Sequence, residues 1–339
     1  MSRSTRTRSI AVGLIGVGAI GRLHAKHLAS RVPGASLAAV ADIDRAAAEA
    51  CAAECGSPDV YDQYHDLLQD PAVQAVVVCS PPDTHAQIIE EAAGSGKHVF
   101  CEKPLDCDLD KIDRALKAVS RAGVKLQVGF NRRFDANFRY VHEAVGSGKV
   151  GQPYTLRITS RDPQLPQASG SRATVGLFLD TMIHDFDMAR YLTGSEVVSV
   201  YALADAMIEG SEEIDTAVAT LRFASGVLGT IENGQTAYGY DQRVEVFGSK
   251  GAIAVENEKS HQVTLTDATG AHAALPLHFF VERYSASYIA ELSAFVDCIL
   301  GDTEPLVTGA DGRIAILIAL AAQRSYEEGK PVVLGGSLS

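Results

Sequence analysis

Three side chains in this sequence have the types and neighbours needed to move a proton and steady a charge at an alcohol: Lys103, Asp180 and His184. Asp180, His184 and Asp187 fall at i, i+4 and i+7, one face of a helix, with Ile183, Phe186, Ala189, Arg190 and Leu192 on the others. A carboxylate one turn before an imidazole can orient the ring and raise its basicity, which suits taking the proton of a hydroxyl. Lys103 ends a strand-like run, and the following Pro104 holds it extended, so its ammonium can reach over a cofactor toward a substrate oxygen. The bland alternatives are a helix-capping Asp180 with an incidental His184, and a solvated Lys103. No metal is expected. The Asp-His-Asp set lacks further His nearby, and Cys51 and Cys55, one helical turn apart, have no second pair to complete four ligands.

A cofactor site is written near the N-terminus, in Gly16-Val17-Gly18-Ala19-Ile20-Gly21, which follows a strand and opens a helix. Gly16 permits the tight turn, Gly18 lets backbone approach a pyrophosphate, Gly21 allows close helix packing, and the helix N-terminus offers N–H donors to the anion. Asp42, followed by Ile43, ends the second strand where a carboxylate can accept from both ribose hydroxyls and repel a 2′-phosphate, so NAD is favoured over NADP. Asp44 competes for that role. Ser80-Pro81-Pro82, with His85 just beyond, makes a second wall at the carboxyl edge of the sheet, where ligands bind in open α/β folds.

The elements that must position these groups alternate in the first part of the chain. Strand-like runs begin at Ile10, Leu37, Ala75, His98 and Leu126, with helical patterns between them. Strands so spaced need helical crossovers, which predicts a doubly wound parallel sheet, a Rossmann domain over 1–129. From 130 to 339 the rhythm changes to strands joined by tight turns such as Ala224-Ser225-Gly226 and Gly248-Ser249-Lys250-Gly251, with one helix near the start and two at the end. The expectation there is an α+β substrate and oligomerisation domain on an open, mostly antiparallel sheet. Its free face is expected to make a subunit interface, and the C-terminal helix has the option of returning to the first domain.

Composition bounds the function. The chain has 339 residues, enough for two domains with their own cores, and 46% hydrophobic against 21% charged content excludes disorder. Thirty basic against 42 acidic side chains give a net charge of −12, which disfavours nucleic acid and anionic membrane surfaces as partners. No apolar run reaches the roughly 18 residues of a membrane span. The leader from Met1 to Ile10, with Arg3, Arg6 and Arg8, reads as a frayed tail rather than a targeting segment, and six cysteines without a C-x-x-C pair read as free thiols in a cytoplasmic protein.

Four strings carry a resemblance to a known family: the loop Gly16 to Gly21, Glu102-Lys103-Pro104, Gly129-Phe130-Asn131-Arg132-Arg133-Phe134-Asp135, and Asp180 followed by His184-Asp185-Phe186-Asp187-Met188-Ala189-Arg190. With Tyr240 to Gly248 and Phe279 to Tyr284 they make nearly the whole chain similar to the Gfo/Idh/MocA oxidoreductases and, within them, to the inositol 2-dehydrogenases. The resemblance implies NAD-dependent oxidation of a secondary ring hydroxyl of a cyclic polyol, myo-inositol to 2-keto-myo-inositol (scyllo-inosose) foremost, with scyllo-inositol or an aldose as the alternative substrate. It implies Lys103, Asp180 and His184 as catalytic residues, with His184 the general base. Glu102 and Arg132 would join the cofactor residues already named, Arg132 and Tyr284 would line the substrate, and the assembly would be a homotetramer. Ala173-Thr174-Val175-Gly176 stands where relatives often carry a Gly-Gly pair. Two other readings are a catalytically silent NAD sensor and an NAD-dependent glycosidase working by transient oxidation and elimination.

Overall fold

The structure, a computed structural model, describes residues 9–163 and 176–335. Met1 to Arg8 of the leader and Ala173 to Val175 lie outside the described residues. Six strands, β1 (Ile10–Ile15), β2 (Ala35–Ala41), β3 (Asp59–Tyr61), β4 (Ala75–Val78), β5 (His98–Glu102) and β6 (Leu126–Gly129), form a sheet of order β3-β2-β1-β4-β5-β6. Every pair in it is parallel. The connections carry α1 (Ala19–Ser30), α2 (Arg45–Glu54), α3 (Tyr64–Gln69), α4 (Pro82–Gly94) and α5 (Leu109–Ala122). β4 reads Ala-Val-Val-Val and is buried throughout, as a strand covered on both faces must be. The strand order turns back between β1 and β4, so the crevice for a ligand opens where those strands end. β3 and α3 are absent from the sequence reading because 3 and 6 residues are too short to show a period.

After the 3-10 turn Asn131–Phe134 come α6 (Ala136–Gly146), β7 (Pro153–Pro163), α7 (Leu177–Asp180), α8 (Met182–Thr193), β8 (Val197–Asp205), β9 (Thr216–Phe223), β10 (Leu228–Ala237), β11 (Asp241–Gly248) and β12 (Gly251–Val255). The hairpin β13 (Thr264–Asp267) and β14 (Gly270–Ala273) follows, then α9 (Phe280–Arg283), α10 (Ser285–Gly301), α11 (Gly309–Glu328) and β15 (Val332–Val333). The second sheet has the order β12-β11-β7-β10-β9-β8-β15. Its pairs are antiparallel except β7 with β10. Along β9 inward Ala217, Ala219, Leu221 and Phe223 alternate with exposed Val218, Thr220 and Arg222, so one face is packed and the other open. Leu203, Val218, Leu228 and Phe247 stand exposed on these strands.

Contacts divide the chain into two compact units. One comprises 1–134 with 286–314, and the other 135–285 with 315–339. In the first, Leu292, Phe295 and Val296 of α10 join Val12, Leu14, Val77 and Phe100 in one buried cluster. Each such side chain contributes about 1.5–3 kcal/mol by leaving water, so α10 is part of this unit's core although it comes late in the sequence.

Candidate active site

The glycine loop is built by exclusion of side chains. Gly16 has φ +90, and a Cβ on it would lie 2.7 Å from the Cys79 carbonyl and the Ser80 nitrogen, so only glycine lets the β4 exit come this close. A Cβ on Gly21 would lie 1.9 Å from the Gly16 carbonyl oxygen. At Gly18, by contrast, an added Cβ meets nothing within 4 Å among the described residues, which leaves open space on the side where a pyrophosphate has to sit. Gly18 caps α1 with no side-chain bond, so the first-turn N–H groups have no side-chain acceptor there. Ala19 and Ile20 begin that turn.

Asp42 and Asp44 divide the acidic work. Asp42 accepts from the Val17 N–H at 2.7 Å and from the Asp44 N–H at 2.9 Å, which fixes its carboxylate beside the loop. Asp44 is spent as the N-cap of α2, accepting from the Ala47 N–H. Of the two carboxylates, Asp42 is the one tied to the glycine loop. Ile43 between them is 89% exposed. These residues fit a dinucleotide: an open backbone cradle, a helix N-terminus and a fixed carboxylate one strand away.

The second wall is braced from behind. Ser80 Oγ and Thr84 Oγ1 are 2.7 Å apart, and Pro81 and Pro82 carry the chain into α4. His85, expected among the cofactor residues, is 1% exposed. Its Nδ1 lies 2.7 Å from the Pro104 carbonyl and its Nε2 2.8 Å from the Ser80 carbonyl, so both ring nitrogens face backbone of the two strand exits. Burial lowers the imidazole pKa against the two carbonyls, Glu102 and Asp106, which raise it.

Lys103 sits beside a largely buried polar group. Glu102 accepts from the Lys103 backbone N–H at 3.3 Å through Oε2, while Oε1 is 2.7 Å from His24 Nε2. Gly129 makes room for that carboxylate, since a Cβ there would be 3.0 Å from Oε2. Glu291 of α10 completes the group: ligand atoms of His24, Glu102 and Glu291 all lie within 4.8 Å of one another. Glu291 is fully buried, and neither of its oxygens has a hydrogen-bond partner among the described residues. Burial first, and the charge of Glu102 second, push its carboxyl well above the ordinary carboxylate range. As a cation site the trio would need Glu291 ionised, which burial opposes. Neither His24 nor Glu291 is marked by spacing in the sequence. Arg132 is buried in the Asn131–Phe134 turn.

The Asp180 and His184 segment departs from the single helix its spacing predicts. Asp180 ends α7, His184 lies in the first turn of α8, and Thr181 forms the break between them. Thr181 Oγ1 lies 3.1 Å from the Leu177 carbonyl oxygen and 3.1 Å from Asn233 Oδ1, its one hydroxyl proton shared between them, while the Thr181 N–H keeps its bond to the Leu177 carbonyl at 3.2 Å. Asp187, on α8 with His184, is buried, whereas Asp180 and His184 are half-buried. Tyr284, for which the resemblance implies a place over the substrate, is 1% exposed. Its ring meets Tyr240 edge-on at 5.7 Å and lies under the Arg283 guanidinium at 4.8 Å.

Comparison with known proteins adds identity to this geometry. Residues 10–130 match the oxidoreductase family with an NAD-binding Rossmann fold, and residues 138–254 match the GFO/IDH/MocA C-terminal domain. The chain is 45% identical to the myo-inositol 2-dehydrogenase of Thermotoga maritima, over 95% of this chain and 98% of that protein. It is 42% identical to the inositol 2-dehydrogenase of Rhizobium meliloti, over 96% and 99% respectively. The crystal structure of scyllo-inositol dehydrogenase from Lactobacillus casei with bound NAD(H) and scyllo-inositol superposes with a TM-score of 0.90 at 31% identity, covering 96% of this chain and 99% of that one. The chain belongs to the Gfo/Idh/MocA oxidoreductase family, and its first domain is an NAD-binding Rossmann domain.

Proposed function

We propose that this family member oxidises a secondary ring hydroxyl of a cyclic polyol, with myo-inositol the preferred substrate and 2-keto-myo-inositol the product. The observation that carries the substrate is the end-to-end likeness to a myo-inositol 2-dehydrogenase at 45% identity. Bound NAD⁺ supplies the hydride acceptor at nicotinamide C4. The chain's own residues handle the proton and the position. Expelling hydride from a neutral alcohol would leave a protonated ketone, so the hydroxyl proton must leave in the same step. His184 takes it as general base, an action worth about 10²- to 10⁴-fold. Asp180 orients the imidazole and stabilises the imidazolium. Lys103, its backbone held by Glu102, donates to the substrate oxygen and steadies developing alkoxide. Arg132 lines the nicotinamide side.

A panel of myo-inositol, scyllo-inositol and aldoses, assayed by NADH absorbance, tests the reading. The fastest NADH formation is expected with myo-inositol; a faster rate with scyllo-inositol or an aldose reassigns the substrate within the family. Release of free sugar from a glycoside without net NADH, or NAD binding with no turnover on any polyol, overturns the dehydrogenase reading itself.

The exposed row Leu203, Val218, Leu228 and Phe247 supports packing of the second sheet on another copy of the chain, with a tetramer as the assembly. Light scattering on the purified protein measures this directly, and a monomer at micromolar concentration refutes it. Among the described residues no helix is long and apolar enough to cross a membrane, and all six cysteines are free, which supports a cytoplasmic setting.

A further inference from the structure

The break at Thr181 separates Asp180 from His184, and one side chain from a neighbouring strand bonds both the residue at the break and the first turn of α8. Asn233 lies on β10, between β7 and β9 in the interior of the second sheet, and is 2% exposed. Its amide NH₂ donates to Asp185 Oδ2 at 2.8 Å, and its Oδ1 accepts from the Thr181 hydroxyl at 3.1 Å. The Asn233 amide answers both at once, its oxygen accepting from the hydroxyl and its NH₂ donating to the carboxylate. Asp185 is itself fully buried and directly follows His184 in the chain. Leaving that carboxylate without its amide would be expensive, so the contact is strongly held. The anchor stands on a paired strand, where a supporting residue is most rigid.

We propose that Asn233 is a positioning residue for the Asp180 and His184 pair: by bridging Thr181 and Asp185 it holds the two short helices at one mutual angle, and so presents carboxylate and imidazole in a fixed relation. The proposal rests on the reading of His184 as the base and Asp180 as its orienter. It adds the device that sets their geometry across a discontinuity. Catalysis is sensitive to such settings, because a displacement of about 1 Å can lower a rate about 10²-fold.

The test uses the full-length protein with saturating NAD and polyol. Asn233→Leu keeps the volume and removes both bonds, and Thr181→Val removes only the hydroxyl. Expected are a fall in kcat of about 10- to 100-fold for Asn233→Leu and about threefold to tenfold for Thr181→Val, with KM for NAD unchanged in both. The double variant is expected to be no slower than Asn233→Leu alone, since both changes cut one bridge. A role confined to stability would lower the melting temperature and leave kcat, measured well below it, at the wild-type value; that result overturns the proposal. Should Asn233→Leu fail to fold, Thr181→Val decides alone, and wild-type kcat in it is then fatal. His184→Ala separates the two levels. If that variant turns over normally, the reading of the base has failed; if it is inactive while Asn233→Leu and Thr181→Val keep full kcat, only the positioning role has failed.

Discussion

The two units of this molecule make their functional surfaces from different materials. In the first, the glycine loop is mostly backbone: Gly16 and Gly21 exclude side chains, Gly18 leaves space, and the Asp42 carboxylate is tied to a main-chain N–H. In the second, the candidate chemistry is carried by two side chains on separate short helices, set by Thr181, Asp185 and Asn233. The main-chain surface draws on the β4 exit and on Asp42 as well as on the loop itself. A surface of side chains across a break depends on a residue far along the sequence, Asn233, which is 52 positions from Thr181.

That contrast predicts that changes in the second unit strike turnover and changes around the loop strike cofactor affinity. The largest effect is expected from His184→Ala: turnover falling about 10²- to 10⁴-fold while NAD affinity, measured by fluorescence titration, stays near normal. An equal loss in NAD affinity would break the division. Next comes Gly21→Ala. Its methyl has no space against the Gly16 carbonyl, and overpacking of about 1–3 kcal/mol corresponds to a weakening of NAD binding by about 5- to 150-fold, with kcat at saturation far less affected.

A third expectation concerns stability and its pH dependence. Burial raises the Glu291 carboxyl pKa in the fold well above its ordinary value of 4.5, which it regains in the unfolded chain. The stability it provides is therefore present below that pH and is lost as pH rises toward the folded-state value. Glu291→Gln cannot ionise in either state. Its melting temperature should exceed that of wild type by roughly 2–4 °C for each kcal/mol regained at pH 8, with the difference closing toward pH 4. A difference independent of pH would show that Glu291 is charged in the fold. The smallest effect is expected from Asp44→Ala, a loss of about 1 kcal/mol of stability from an uncapped α2, with NAD affinity unchanged. A loss of affinity there would move the ribose acceptor from Asp42 to Asp44.

What could be read in advance follows the same line. The parallel sheet was legible because β4 and its neighbours are continuous apolar runs separated by helical periods, and the loop was legible because its glycines answer local steric demands. Asp42 was distinguishable from Asp44 only by position, and the structure supplies the reason by using Asp44 as a cap. The Asp180 to Asp187 spacing spans two helical segments that meet at Thr181, a junction that periodicity alone does not mark. Glu291 was invisible for the opposite reason. In the run Tyr288-Ile289-Ala290-Glu291-Leu292 an acid reads as a solvated face, and only the packing of α10 against Phe100 shows that it is interior.

The bond between Asp42 and the Val17 N–H bears on any attempt to convert this protein to the phosphorylated dinucleotide. Replacing the aspartate by a cationic or small residue would invite the extra phosphate, and in the same act strip the turn of its brace. If Asp42 is the ribose acceptor, one carboxylate serves selectivity and loop rigidity together, and a redesign has to install two things: a partner for the new anion and a separate acceptor to keep the turn closed.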